Sequence, residues 1–404
     1  MKIINGGVCA AKGFSAAGIH AGIRKNKEKM DLALIVSSTP ATTVGCYTQN
    51  LVKGAPIWVT KKNIENGVAR AVVCNSGNAN TCNSDGIEVA EKMCQIVADN
   101  TDVLAEDVVV ASTGVIGQPL DVTPIKNAMP ALSNKLSEKG GNDAAVAIMT
   151  TDTVEKEIAF EFETGGKTCH IGGIAKGSGM IHPNMATMLV FVTSDVAITQ
   201  EMLQKALSND VKNTFNMISV DGDTSTNDMV IVLSNGQAEN KVISEDGADF
   251  DTFCDALNQV TTNLCKKIAK DGEGATKLLE CRTSGAKTDV DAKTVAKSVI
   301  TSTLFKAAMF GADANWGRVL CAIGYSGANV DVTKIDVAFE SKKGRIEVCK
   351  MGSGIDFSEE IAKEILLEDE IVIDVNLNDG EYGATAWGCD LTYDYVKING
   401  DYRT

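Results

Sequence analysis

Proline (6), histidine (3) and aromatic residues (5%) are scarce in this 404-residue sequence, and no CxxC pair occurs among its cysteines. With His20, His170 and His182 far apart and the cysteines scattered singly, zinc-ligand spacing is missing. There is no Rossmann glycine fingerprint, no P-loop and no G-x-S-x-G elbow, so three common routes to nucleotide or ester chemistry are closed. Positive charge is in deficit: 38 Lys and Arg stand against 53 Asp and Glu, a net of −15. Such a field repels phosphate backbones and argues against nucleic acid as a partner. Apolar runs are no longer than a strand, which argues against a membrane span.

What is present is ordinary for a folded protein, with 44% hydrophobic and 23% charged residues. The length exceeds what one simple core usually supports, so two lobes or one large layered domain is expected. The twelve cysteines, with no signal peptide ahead of them, are expected to be reduced thiols of a cytoplasmic protein.

Residues 176–193, KGSGMIHPNMATMLVFVT, are the most informative stretch. The first half is Gly-rich and polar, with Pro183 fixing one φ angle. The second half, Met188 to Val192, is a run of strand formers. Thr187 stands at the junction, where backbone strain can be stored in the Ala186–Thr187 bond. Its hydroxyl can attack the Ala186 carbonyl, shift the acyl group from nitrogen to oxygen, and leave an ester that water splits. Thr187 would then begin a new chain, its α-amine (pKa about 7.7–8.0) acting as base for its own hydroxyl. From these residues alone, an ordinary strand threonine is the commoner explanation.

Strands are predicted over 32–36, 71–74, 107–111, 157–162 and 229–233. Helices are predicted over 87–97, 198–207, 253–268 and 295–309, and a strand-rich tail over 371–375 and 391–398. The mixture lacks strict βαβ alternation, which predicts an α+β layered fold. The loop NSGNAN (75–80) and the triplet Ser112-Thr113-Gly114 each follow a strand. Thr113 and Gly114 offer a hydroxyl and an unobstructed N–H, suitable parts for an oxyanion hole and equally for a tight turn. DGDTSTND (221–228) clusters acids but lacks the sixth-position Gly and terminal Glu of an EF-hand. Taken singly, Lys176 and Glu273 read as solvated side chains, and 399–404 as a frayed end.

Together these motifs resemble the ornithine acetyltransferase family, the bifunctional glutamate N-acetyltransferases of arginine biosynthesis. KGSGMIHPNMATML is similar to that family's self-processing site. NSGNAN, STG, TTDT (150–153), DGEGATK and GADANWGR agree with it across nearly the whole chain. In the last of these, Ala314 stands where the family usually has Pro, which is expected to loosen the turn slightly.

The resemblance implies cleavage at Ala186–Thr187 into fragments 1–186 and 187–404. These are expected to stay intertwined as α and β chains, in α2β2 or larger assemblies, within a layered αββα-type sandwich related to N-terminal-nucleophile folds. It implies Thr187 as the acetyl-carrying nucleophile and Thr113 with Gly114 as the oxyanion hole. Substrate contacts are implied for Thr153, Lys176, Thr187, Glu273, Asn399 and Thr404. The implied substrates are N2-acetylornithine and glutamate, with no cofactor and with acetyl-CoA open as a further co-substrate. A hydrolase of the aminopeptidase type, passing its acyl group to water, is the competing expectation.

Overall fold

A computed structural model describes residues 1–182 and 188–400. Its strands, in chain order, are β1 (Lys2–Ile4), β2 (Phe14–Ile19), β3 (Leu32–Tyr47), β4 (Val68–Asn78), β5 (Val108–Val115), β6 (Lys156–Thr164), β7 (Lys167–Lys176) and β8 (Leu189–Ser194). There follow β9 (Ile218–Ser219), β10 (Met229–Ser234), β11 (Leu278–Ala286), β12 (Asp336–Ser341), β13 (Gly344–Lys350), β14 (Ser353–Gly354), β15 (Glu370–Asn376) and β16 (Tyr382–Cys389).

A nine-stranded sheet runs β1-β6-β7-β8-β10-β3-β4-β5, with β2 on β3. Its centre is β8 (LVFVTS) and β10 (MVIVLS), paired in parallel from Leu189–Met229 to Ser194–Ser234. Both are buried along their whole length, as expected of near-continuous apolar runs covered on two faces. The pairing of β3 with β4 shifts register between Val36 and Ala41, around Pro40. Beyond this irregularity the two halves of the sheet share one apolar cluster: Ala33, Ile35, Val72 and Val109 pack with Leu189, Phe191, Met229 and Ile231.

The alternate residues point outward, because side chains switch faces at each step along a strand. Leu32, Leu34, Val73 and Val110 meet the helices Gly86–Ala98 and Thr123–Asn134. Val190, Val192, Val230 and Val232 meet Gln200–Asp210 and Ala248–Lys270. The result is a helix–sheet–sheet–helix layering, an α+β arrangement of the kind the resemblance implied. A second sheet, β14-β13-β12-β15-β11-β16-β9, lies beyond the long helix Ala248–Lys270, which packs on both sheets.

Two sequence expectations are corrected. The single helix over 295–309 is two, Asp289–Thr301 and Thr303–Phe310, broken at Ser302 (φ −65°, ψ 110°). The Ser302 hydroxyl accepts from Phe305 N at 3.3 Å and so caps the second helix. Residues 391–398 form no strand. The chain leaves the sheet at Asp390, whose carboxylate accepts from Thr276 and Lys277 N–H, and coils into the helix Tyr393–Asn399 against the turn at Gly274. The tail's apolar alternation therefore has no neighbouring strand to pair with. All twelve cysteines are free thiols, and burial pushes Cys9, Cys74 and Cys94 up to about 12. Among the described residues no acid, His and Cys group could hold a metal, and no helix is long and apolar enough to cross a membrane.

Candidate active site

The parallel strands β4 and β5 end side by side, with Gly77 opposite Gly114. Gly114 has φ +133°, and a Cβ there would lie 2.3 Å from the Gly77 carbonyl carbon. Only glycine permits this approach. Thr113 and Gly114 both line a cavity of about 150 Å³. NSGNAN is mostly strand, since β4 continues to Asn78, and only Ala79 of that motif lines the cavity.

Lys176 closes β7 opposite Leu189 and also lines the cavity, its Nζ donating to Thr113 Oγ1 at 3.2 Å. Burial pushes its pKa down, against the pull of Asp152 and Asp228. Burial opposes ionisation of Asp152 too, but Lys156 and Lys176 hold its carboxyl well below the usual range. Lys156, wholly buried, lies 2.7 Å from Asp152 and 2.6 Å from Asp271. Asp152 in turn accepts from Gly177 N at 2.7 Å, which fixes the turn after β7.

Asp271 receives the Thr153 N–H at 3.0 Å and the Thr153 hydroxyl. Thr153 is therefore not among the cavity-lining residues; its neighbours Thr150 and Thr151 are. Glu273 lines the cavity, with its N–H on Ser178 O at 2.9 Å and its Oε2 accepting from Asn399 Nδ2 at 2.6 Å. Gly179 makes room for it, because a Cβ there would stand 2.4 Å from the Glu273 carboxylate. Asn399, on the terminal helix, lines the cavity as well.

The loop 221–228, to which no sequence motif assigns a role, has two in the structure. Asp221 accepts from the N–H groups of Met180 and Ile181 at 2.6 and 2.9 Å, and Thr224 Oγ1 donates to His182 O at 2.7 Å. It thus holds the chain leading to residue 183, with Met180 at φ +56°. At its other end Ser225, Thr226 and Asn227 line the cavity. The available signal was a polar eight-residue loop running straight into a buried strand. Next to it, burial pushes the Asp228 carboxyl well above its ordinary range. Ala186, Thr187 and Thr404 lie outside the described residues. The description resumes at Met188, whose carbonyl accepts from Met229 N at 2.9 Å.

Five of the residues singled out from the sequence, Thr113, Gly114, Lys176, Glu273 and Asn399, thus meet around one small cavity. A buried cation and a buried carboxylate on its walls suit a small molecule carrying both charges. Beside them are a hydroxyl and a bare backbone, the parts of an acyl-transfer enzyme on a layered α+β sandwich.

The ArgJ family model matches residues 15–404. The chain is 51% identical to the arginine biosynthesis bifunctional protein ArgJ of Caldanaerobacter subterraneus subsp. tengcongensis, over 100% of both chains. It is 51% identical to ArgJ 1 of Clostridium acetobutylicum, over 97% of this chain and 96% of that one. The crystal structure of the ArgJ protein from Bacillus halodurans is 50% identical with a TM-score of 0.50, covering 52% of this chain and 97% of that chain. The chain belongs to the ArgJ family, the bifunctional acetyltransferases of arginine biosynthesis.

Proposed function

We propose that the chain cuts itself at Ala186–Thr187 and then moves the acetyl group of N2-acetylornithine to glutamate through an acetyl ester on Thr187. The observation that carries this reading is the meeting of Thr113, Gly114, Lys176, Glu273 and Asn399 around one cavity. Leu189, two residues after Thr187, pairs with Lys176 at that cavity's edge. Further support comes from the Bacillus halodurans chain, almost all of which corresponds to only about half of this one. That proportion fits one fragment of a divided protein.

In the first half-reaction Thr187 Oγ attacks the acetyl carbonyl while the Thr187 α-amine takes the hydroxyl proton. The tetrahedral oxyanion rests on Thr113 and Gly114, the C–N bond breaks, and ornithine leaves with the proton. Glutamate then enters with a neutral amine, attacks the ester carbonyl and leaves as N-acetylglutamate, returning a proton to Thr187 Oγ. Lys176 holds the amino-acid carboxylate, and one lysine in a partly dry cavity outweighs the distant net negative charge. Glu273, held by Asn399, faces the ornithine ammonium, while Thr404 completes the substrate contacts. Acetyl-CoA as a second acetyl donor to glutamate fits the bifunctional naming of the relatives. The working form is a cytoplasmic assembly of paired fragments, α2β2 or larger.

The test is Thr187→Ala. The parent should run as two bands on a denaturing gel and show ping-pong kinetics, whereas the variant should run as one band and transfer no acetyl group. Active parent protein found by mass spectrometry as a single uncut species overturns the proposal. Acetate released at the same rate with and without glutamate identifies a hydrolase instead.

A further inference from the structure

Asn227 lines the cavity and is 5% exposed, yet the mechanism above does not use it. Its Nδ2 donates to the carbonyl oxygens of Ala79 at 2.5 Å and Ser112 at 3.0 Å. Its Oδ1 accepts from the hydroxyls of Thr81 at 2.5 Å and Thr226 at 2.6 Å. A carboxamide has two N–H donors and an oxygen with two lone pairs, so the protein fills every bonding position of this one. Its orientation is also determined, because two carbonyls can only accept and must face the nitrogen. Asn227 therefore has no bond left to offer a substrate.

What it grips is the site's framework. The Ser112 carbonyl belongs to the peptide unit whose nitrogen is that of Thr113, and Ala79 immediately follows β4, whose end pairs with Thr113 and Gly114. Gly54 leaves space for the clamp, since a Cβ there would lie 2.6 Å from the Asn227 amide. We infer that Asn227 is a positioning residue for the Thr113–Gly114 pair, tying the ends of β4 and β5 together so that the pair's donors stay aimed into the cavity. The inference rests on the assignment of that pair as the oxyanion hole. In the cut protein, the fragment bearing the nucleophile would thereby align the oxyanion site carried by the other fragment.

The experiment compares the parent with Asn227→Ala, Thr113→Ala, their double variant and Thr81→Val, measuring kcat and KM of acetyl transfer per cleaved chain. Asn227→Ala should lower kcat about 10-fold or more with KM within about twofold, since slight misplacement of reacting groups costs rate before affinity. Thr81→Val, which frees one side of the carboxamide, should give a smaller loss of the same kind. The double variant should lose less than the product of the two single losses, because Thr113 and Asn227 serve one device of which only Gly114 remains. Unchanged kcat in Asn227→Ala, a rise in KM alone, or losses that multiply in full would overturn the inference. Normal turnover by Thr113→Ala would instead sink the oxyanion assignment and the inference with it. Should Asn227→Ala fail to fold, Thr81→Val decides, an unchanged kcat counting against the inference.

Discussion

His182 is the last described residue before the proposed cut, with Nδ1 3.1 Å from Ser219 Oγ. Burial, and then Lys297, pushes its pKa down from the usual 6.5 to about 4, against the pull of Asp221. An unfolded chain takes up this proton near pH 6.5 and the folded one only near pH 4, so between them the unfolded state binds more protons. Stability therefore falls as pH drops through that window, and the group contributes nothing above it. His182→Gln should flatten the dependence of Tm on pH between 6.5 and 4 relative to the parent, as thermal melts would record. Asp152, held low by its lysines, contributes equally to parent and variant, so the difference between their profiles reports His182. At this same scale the sequence was partly legible. Lys176 and Glu273 are residue types that recognise opposite charges, and their motifs drew attention to them. Asn227 carries no such signature, since its role comes from four neighbours that are distant in the chain or unremarkable beside it.

Among the elements, β6 starts on a lysine that the sequence does not distinguish from any other. Lys156 is wholly buried between Asp152, four residues earlier, and Asp271, at the end of the long helix Ala248–Lys270. It ties the sheet to that helix and holds the two carboxylates that fix Gly177 and Thr153. Lys156→Met would leave Asp271 buried without this cation and Asp152 with Lys176 alone. Removing one partner of such a pair costs about 3–5 kcal/mol, so denaturant unfolding should show a loss of that order; a change under about 1 kcal/mol would contradict it. Element types were readable where one periodicity ran unbroken, as in Ala248–Lys270 with Phe253, Leu257, Val260, Leu264 and Ile268 buried. They were misread at Ser302, where a cap interrupts a helical pattern, and at 391–398, where alternation had no partner strand.

For the whole molecule, the main sheet does not respect the proposed cut. β8 and β10 lie beyond it, yet they sit between β7 and β3, which precede it. β8 pairs with β7 from Lys176–Leu189 to Ile171–Ser194, and β10 pairs with β3 from Met229–Tyr47 to Ser234–Thr42. Fragments 1–186 and 187–404 thus share backbone ladders as well as one apolar cluster. Separating them would expose four strand edges and the core between the sheet's halves. Cut protein should therefore elute as one species in gel filtration without denaturant, containing both fragments in equal amounts. Elution of either fragment alone would contradict this arrangement.

The sequence by itself determined the layered α+β class and the candidate nucleophile junction, because hydrophobic period and local motif are properties of neighbouring residues. Only the tertiary structure decided that Thr150 and Thr151 rather than Thr153 line the cavity, that a loop of acids and hydroxyls is a clamp, and which strands interleave across the proposed cut. Those outcomes depend on which distant groups a buried polar atom meets, and hydrogen bonds across more than a hundred residues leave no period in the chain.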